Sequence, residues 1–328
     1  MNSIMPLIRN ETVKVWKKKR FLVVIAVLLV LIPVFTYAQM KISLSNRESF
    51  TDWRLQLQQK ITDYQNQLSS ERIPEEWKRY RRIAVQQMQY YLDHNVNPDS
   101  PNAVTFTRGF MDASVSMFIP LLVLAIASDL VSGERSTGTM KMLLTRPVRR
   151  WKILLSKFIA LTLYVSLLLL TTVVLSYLIA GLVFGYGGWS LPVFTGFVVH
   201  GSEVDSSAVH PVPQWMYLLM MTGLVWISAM TIACLALMVS VLVRSTAASI
   251  VTMMAAIIAG SILSAMASSW ESAKYIFSVN LELTNYLAGS PPPIDGMNLL
   301  FSLAVLGFWA VSALIVSFTV FTKQDMLN

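Results

Sequence analysis

Charged side chains are scarce in this sequence. Only 13% of the 328 residues are Asp, Glu, Lys or Arg, and 55% are hydrophobic, whereas soluble domains carry about 25% charged residues. The apolar residues come in long uninterrupted blocks, and about 20 such residues are what one helix needs to cross a bilayer. The shortage of charge therefore argues against an ordinary soluble protein and predicts a polytopic membrane protein.

Cysteine is nearly absent as well. The single Cys234 lies inside an apolar block, which excludes a disulfide framework and a thiolate metal site. Gly133 and Gly138 have the spacing that begins a phosphate-binding loop, but Thr139 and Met140 follow, where such a loop needs Lys and then Ser or Thr. The sequence thus predicts no catalytic site, metal or cofactor in this chain, and a membrane enzyme is the weakest alternative.

Six apolar blocks predict six membrane-spanning helices. They cover residues 21–38, 110–131, 153–184, 215–243, 248–269 and 297–321. The first block resembles a signal peptide, but it lacks a small-residue cleavage site and five more blocks follow, so a retained helix is predicted. The predicted fold class is an all-α polytopic membrane protein.

Lys and Arg are unevenly distributed among the connecting segments. They crowd residues 14–20 and 132–157, whereas 185–214 has none and 270–296 has only Lys274. Lys and Arg favour the cytoplasmic side of a membrane. This pattern places both termini, including the tail 322–328, and segment 132–152 in the cytoplasm, with the other two segments outside. The net charge of +8 is therefore assigned to membrane lipid and not to nucleic acid, in a bacterial plasma membrane.

Residues 1–20 predict an amphipathic helix that lies in the membrane plane. An apolar stripe that includes Ile4, Leu7 and Val15 faces polar residues, as in interfacial helices. The alternative is a basic flank that only sets topology. The predicted interfacial anchors are Trp16, Lys17, Lys18 and Lys19.

Residues 39–109 lack the long apolar runs of the spans and predict an extracytoplasmic helical hairpin. Trp53, Leu57 and Ile61 recur at helical spacing in its first half, and Trp77 and Tyr80 begin a similar series in its second. A proline between the two halves suits a first helical position. The basic residues of the second helix are either a solvated face or a contact for anionic headgroups or a substrate.

Segment 132–152 reads SGERSTGTMKMLLTRPVRRWK. It predicts a short amphipathic helix that leaves the membrane and returns, with Met140, Leu143 and Leu144 as an apolar knob for a groove on a partner protein. At these residues the chain resembles the type-2 ABC export permeases, the membrane subunits of ATP-binding-cassette transporters. The resemblance extends to the interfacial helix, the six spans and the short tail, but not to the hairpin.

The resemblance implies that segment 132–152 is a coupling helix region that docks on an ATPase subunit. The residues that it assigns to docking are Glu134, Gly138, Thr139, Leu143, Leu144, Pro147 and Arg149. For Glu134 the alternative is a local ion pair with Arg135 or a role at a helix end; for Arg149 it is a topology signal. The segment 270–296 would cap the translocation path. Its lining residues would be Asn280, Glu282 and Asn285, unless they form a solvated loop.

The predicted function is that of a permease subunit without its own ATPase site. Two copies or paralogues would pair, and each would dock one cytoplasmic ABC ATPase that binds ATP and Mg. The resemblance implies export, and the apolar spans favour a hydrophobic or amphiphilic substrate. The alternative is a sensing or regulatory complex in which the hairpin detects an extracellular ligand without net transport.

Overall fold

The computed structural model describes residues 4–17, 19–49, 52–69, 73–140, 148–243, 245–266 and 270–323. Most of these residues are helical. In chain order the helices are α1 (Met5–Lys17), α2 (Arg20–Ser49), α3 (Trp53–Leu68), α4 (Glu75–Asp93), α5 (Ala103–Ser114), α6 (Phe118–Ala127), α7 (Ser132–Ser136), α8 (Arg150–Phe184), α9 (Gln214–Leu242), α10 (Thr246–Ala265), α11 (Thr284–Ala288) and α12 (Leu299–Lys323).

Five of these helices, α2, α8, α9, α10 and α12, are long and apolar enough to cross a membrane. A sixth span results if α5 and the helical stretch that starts at Phe118 are counted as one bent unit. The predicted helical membrane protein is therefore confirmed in this coarse form. One boundary differs clearly, because α2 continues to Ser49, well beyond the predicted end at residue 38.

The second predicted span, 110–131, is not one straight helix. Its helical residues begin at Ala103, and the two halves meet at an angle of 68° across a break after Ser114. Pro120 lies in the first turn of α6, where its missing N–H and its ring prevent continuation of the preceding helix. The proline thus accounts for the bend, which an apolar run alone does not reveal.

Four short strands accompany the helices. In the predicted loop 185–214, β1 (Pro192–Thr195) pairs antiparallel with β4 (His210–Pro213), and β2 (Val198–His200) pairs with β3 (Glu203–Asp205). Pro192 lies opposite Pro213, which suits a two-stranded sheet because proline cannot donate to a further strand.

The polar segments gather at two ends of the helices. The hairpin end contains α3, α4, the four strands and residues 270–296; for example, Nε of Arg79 donates to the carbonyl of Gly201 at 2.8 Å. The terminal end contains α1, α7, the start of α8 and the end of α12, where Arg150 reaches the carbonyl of Thr322 at 3.4 Å. Between the ends, α9 is the most buried long helix and packs against α6, α8 and α12.

In the hairpin, α3 buries the predicted face, whereas α4 does not. Leu57 and Ile61 of α3 are buried, as the spacing predicts, but α4 buries Ile83 while Trp77 and Tyr80 remain 62% and 44% exposed. The two aromatic side chains are thus available to line cavities next to α4.

Candidate functional site

Four charged side chains form a closed ring at the terminal end. Nζ of Lys14 lies 2.8 Å from Oε1 of Glu11 and 2.8 Å from Oε1 of Glu134. Nζ of Lys157 lies 2.8 Å from Oε2 of Glu11 and 2.7 Å from Oε2 of Glu134. The last contact is ionic without hydrogen-bond geometry. We call these four residues the ion ring; its two carboxylates and two ammonium groups sum to zero formal charge.

The ion ring is largely removed from water. The side chain of Lys157 is 0% exposed, those of Glu11 and Glu134 are 4% and 6% exposed, and that of Lys14 is 32% exposed. Buried charges are tolerated when each is paired, and removal of one partner is costly. The pKa of Lys14 is raised: burial by itself lowers it, but the carboxylates of Glu11 and Glu134 outweigh that effect. Lys14 therefore keeps its charge at neutral pH.

Three elements supply the ring. One turn of α1 presents Glu11 and Lys14 on the same side, because residues three apart are neighbours on a helix. Glu134 comes from α7, and Lys157 from the second turn of α8. The hydroxyl of Tyr164 adds a second link, since it donates to the carbonyl of Thr12 at 2.8 Å. The ring thus ties α1, α7 and α8 together where the chain enters segment 137–149.

The structure places the predicted docking residues in different environments. Both carboxylate oxygens of Glu134 are in contact with lysines of this chain, so Glu134 takes part in long-range ion pairs. Gly138 forms a turn after α7 with φ 72°, a common way to end a helix. Thr139 donates to the carbonyl of Glu134 at 3.4 Å, and Arg149 is exposed directly before α8.

The predicted apolar knob is corrected at one position. Met140 is 1% exposed and belongs to the main hydrophobic core, so its side chain does not project toward a partner. Leu143, Leu144 and Pro147 lie outside the described residues. The docking assignment of segment 132–152 stays a prediction.

The predicted interfacial anchors lie at the surface. Trp16, Lys17 and Lys19 are exposed at the end of α1 and in the link to α2, and Lys18 is outside the described residues. Val15 is buried, so α1 has an apolar side against the helices and an exposed side. This division is typical of a helix at the membrane interface.

A serine of α9 holds the break between α6 and α7. Oγ of Ser240 accepts hydrogen bonds from the backbone N–H groups of Val131 and Ser132, at 3.1 and 3.0 Å. A second link comes from Arg20, whose guanidinium lies 2.8 Å from Oδ2 of Asp129. The direction in which α7 carries Glu134 toward the ion ring is thus fixed by α9 and α2.

At the hairpin end, the three predicted gate residues line one cavity of about 390 Å³ beneath α4. Nδ2 of Asn280 donates to the carbonyls of Lys274 and Ile276, both at 2.8 Å. Its Oδ1 is buried and has no hydrogen-bond partner among the described residues. Glu282 accepts a hydrogen bond from Asn285 at 2.9 Å. Trp77 and Tyr80 line the same cavity from α4, together with Ser261, Ser264, Pro292 and Pro293.

Side-chain amides fasten α4 over this cavity. Nε2 of Gln87 donates to the carbonyls of Ala288 and Gly289, at 3.1 and 2.9 Å. Nε2 of Gln86 donates to the carbonyl of Ser202 at 3.2 Å, and its Oε1 accepts from the backbone N–H of Val204 at 2.7 Å. Arg79, one of the basic residues of α4, also holds this helix in place, because it forms an ion pair with Asp295 at 2.8 Å.

We expect Gly289→Ala to loosen α4 from the loop beneath it. Gly289 has φ 66°, and a Cβ there would lie 2.3 Å from Cβ of Phe197 and 2.9 Å from Nε2 of Gln87. Gly138→Ala is the matched control, since Gly138 has φ 72°, has open space around the added atom and lies at the terminal end, away from α4. Both variants incur about 1–2 kcal/mol for left-handed backbone, and the clash adds about 1–3 kcal/mol at position 289. Faster hydrogen exchange of α4 amides in Gly289→Ala than in Gly138→Ala is the expected result; equal rates would contradict it.

Comparison with known protein families assigns most of the chain to one family. Residues 77–327 match the family described as "Protein of unknown function (DUF2705)". The chain belongs to the DUF2705 family. The matched range contains Glu134 and Lys157 of the ion ring and all three residues of the predicted gate, whereas Glu11 and Lys14 precede it.

Two relatives from Bacillus subtilis (strain 168) are similar to this member of the family. "Uncharacterized protein YhcI" is 28% identical over 325 residues, which cover 98% of this chain and 99% of the relative. "Uncharacterized membrane protein YdbK" is 27% identical over 215 residues, which cover 65% of this chain and 80% of the relative. The name of the second relative agrees with the apolar helices found here.

Sequence reasoning missed three of the four ring residues. Lys157 belongs to the basic range 132–157 that predicts topology, yet it also lies inside the apolar run of α8, where an ionisable residue needs a partner. Glu11 and Lys14 belong to the polar side of the predicted interfacial helix in residues 1–20. The signal that pointed to a buried pair was the position of Lys157 within a span.

Proposed function

We propose that this DUF2705 protein is the permease subunit of an ABC transporter in a bacterial plasma membrane, with both termini in the cytoplasm. The observation that carries the proposal is the ion ring, which joins α1, α7 and α8 beside segment 137–149. A push on this segment by a partner would move three helices as one unit, because paired buried charges resist separation.

In this proposal, energy comes from a separate ABC ATPase that holds ATP and Mg. Two copies of the chain, or this chain and a paralogue, pair around a path, and each docks one ATPase. Closure of the ATPases displaces segment 132–152 and shifts the helices between inward-open and outward-open states. The substrate is hydrophobic or amphiphilic and leaves the cell, and it must bind the two states with different affinities for the cycle to be coupled.

Charge reversal at Arg149 tests the docking assignment. Arg149 is exposed and lies outside the ion ring, so Arg149→Glu is expected to leave the fold intact. We expect the amount of ABC ATPase that is recovered with the tagged chain to fall by about tenfold, which corresponds to about 1.4 kcal/mol of binding free energy. The measurement is purification from native membranes in mild detergent, followed by quantitative mass spectrometry.

Arg9→Glu is the control for this experiment. Arg9 is an exposed residue of α1 at the same end of the molecule, so its reversal changes the net charge equally without altering segment 132–152. Equal loss in both variants would contradict specific docking through this segment. Failure of the unaltered chain to retain any ABC ATPase under several gentle conditions would overturn the proposed function.

A second candidate function is detection of an extracellular ligand without transport. The cavity of about 390 Å³ beneath α4 favours it, because the hairpin forms one wall and the segment 270–296 forms another. An assay on vesicles that contain the full complex distinguishes transport from sensing. ATP-driven movement of a fluorescent phosphatidylethanolamine between leaflets favours transport, whereas ligand-stimulated ATP hydrolysis without such movement favours sensing.

A further inference from the structure

A second and larger cleft opens at the hairpin end. It has a volume of about 740 Å³ and lies between the last part of α2, helix α3, the loop 97–102, helix α5 and Phe184 at the end of α8. We call it the α2–α5 cleft. Its size is within the range of small-molecule sites, about 300–1,000 Å³, and it is separate from the cavity that holds Asn280.

One part of the cleft is lined by aromatic rings. Phe35 of α2 meets Phe110 of α5 edge to face at 5.5 Å between ring centroids. Phe106 stacks on Phe110 at 6.1 Å and on Phe184 at 6.0 Å. These four phenylalanines give the inner part of the cleft an apolar wall that three helices share.

The mouth of the cleft is polar. Lys60 of α3 and Asp99 of the loop 97–102 form an ion pair of 2.9 Å there. Both side chains are about half exposed or more, at 47% and 67%. Gln56 and Asn97 line the same region. The cleft therefore has an apolar interior and a mouth with one charge of each sign.

This polarity gradient coincides with the expected membrane boundary. Helix α2 begins at Arg20, next to the exposed Lys17 and Lys19. Twenty residues at about 1.5 Å each span the hydrocarbon core of about 30 Å, which ends near residue 40. Phe35 thus lies in the last turns within the hydrocarbon, whereas Gln39 and Ile42 of the same cleft lie at or beyond its end.

We propose that the α2–α5 cleft binds one zwitterionic amphiphile, with its acyl chain among the four phenylalanines and its headgroup at Lys60 and Asp99. The ammonium of Lys60 complements an anionic headgroup oxygen, and the carboxylate of Asp99 complements a headgroup cation. The inference that an amphiphile binds rests on the shape and polarity of the cleft alone. The further statement that this amphiphile is the transport substrate rests on the proposed function. A bilayer phospholipid and an exported amphiphile share this chemistry.

Gly109 allows a direct test because it lies in the wall of the cleft. It is an exposed residue of α5, and an added Cβ meets nothing within 4 Å. A side chain at this position therefore starts in open space in the cleft wall, and phenylalanine is chosen to occupy the cleft. Gly307 of α12 is the matched control, since it is also exposed and helical, has open space around an added Cβ, and does not line the cleft.

The experiment is native mass spectrometry of the purified chain in mild detergent, titrated separately with palmitoyl lysophosphatidylcholine and with dipalmitoyl phosphatidylcholine, which share a headgroup and differ in chain number. The unaltered chain and Gly307→Phe are expected to retain about one molecule of either probe, and Gly109→Phe to bind about tenfold more weakly. Preference for the two-chain probe identifies a bilayer lipid as the occupant, and preference for the one-chain probe identifies a detachable amphiphile. Either preference supports the proposal.

Three outcomes would overturn it: no saturable binding to the unaltered chain, equal binding to Gly109→Phe and Gly307→Phe, or conversion of a dimer to a monomer by Gly109→Phe. The last outcome would make the cleft an interface between copies. No ATPase is present in this assay, so its failure leaves the proposed transport function standing, and loss of ATPase co-purification leaves the cleft assignment standing.

Discussion

Lys157→Met is expected to lower the free energy of unfolding by about 3–5 kcal/mol, the usual cost of removing one partner from a buried ion pair. The side chain of Lys157 is fully buried and contacts both carboxylates of the ion ring at 2.7–2.8 Å. Methionine keeps much of the stem volume but leaves Glu11 and Glu134 to share the one remaining cation, Lys14. The apparent unfolding temperature should fall by roughly 5–15 °C.

The single cysteine provides the measurement. Cys234 is free and buried, so a thiol-reactive fluorescent dye reports unfolding when the helices separate. Lys274→Met is the matched control, because Lys274 pairs with Glu271 at the surface at 2.9 Å. Such exposed pairs contribute about 0–1 kcal/mol. Equal unfolding temperatures for the two variants would show that the ion ring is not a buried unit.

A double variant separates lost charge balance from lost packing. Glu11→Gln combined with Lys157→Met leaves Lys14 and Glu134, which are one cation and one anion 2.8 Å apart. The double variant should therefore be less destabilised than the sum of the two single variants by about 0.5–3 kcal/mol. Strict additivity would mean that the four side chains act independently.

Ser240→Ala is expected to lower the free energy of unfolding by about 2–6 kcal/mol, because two buried N–H groups lose their acceptor at about 1–3 kcal/mol each. Those groups belong to Val131 and Ser132 in the break between α6 and α7. Ser240 is fully buried, so water does not readily replace its hydroxyl. The amides of Val131 and Ser132 should also exchange hydrogen faster.

Ser317→Ala is the control for this variant. Ser317 is equally buried, but its hydroxyl donates to the carbonyl of Ala313 in its own helix, so its removal leaves no backbone donor unpaired. A change below about 1 kcal/mol is expected there. If Ser240→Ala behaved like Ser317→Ala, in stability and in amide exchange, then Ser240 would not hold the break.

The predictions for Lys157 and Ser240 concern the same connection, which runs from the break before α7 to the ion ring. Ser240 and the pair of Arg20 with Asp129 fix the course of the chain into α7, and α7 carries Glu134 into the ion ring. Under the proposed function, Lys157→Met and Ser240→Ala should therefore weaken the coupling between ATP hydrolysis and transport in the assembled complex more than they weaken ATPase docking. Arg149→Glu should do the reverse.

The sequence by itself determined the long apolar helices, the N-terminal helix α1 and the existence of the hairpin. Each of these depends on hydrophobic content or periodicity over ten or more consecutive residues, which local chain geometry translates into one element. It also placed Asn280, Glu282 and Asn285 together, since residues within one short segment have few ways to be apart.

Only the tertiary structure decided which faces and charges meet. The choice of Ile83 over Trp77 and Tyr80 as the buried side of α4 depends on the loops beneath that helix, which the period of α4 does not encode. The ion ring joins Glu11 to Lys157 across 146 positions of the chain, and no local pattern carries such a pairing. Its physical origin is the low dielectric between α1, α7 and α8, where every charge requires an opposite neighbour.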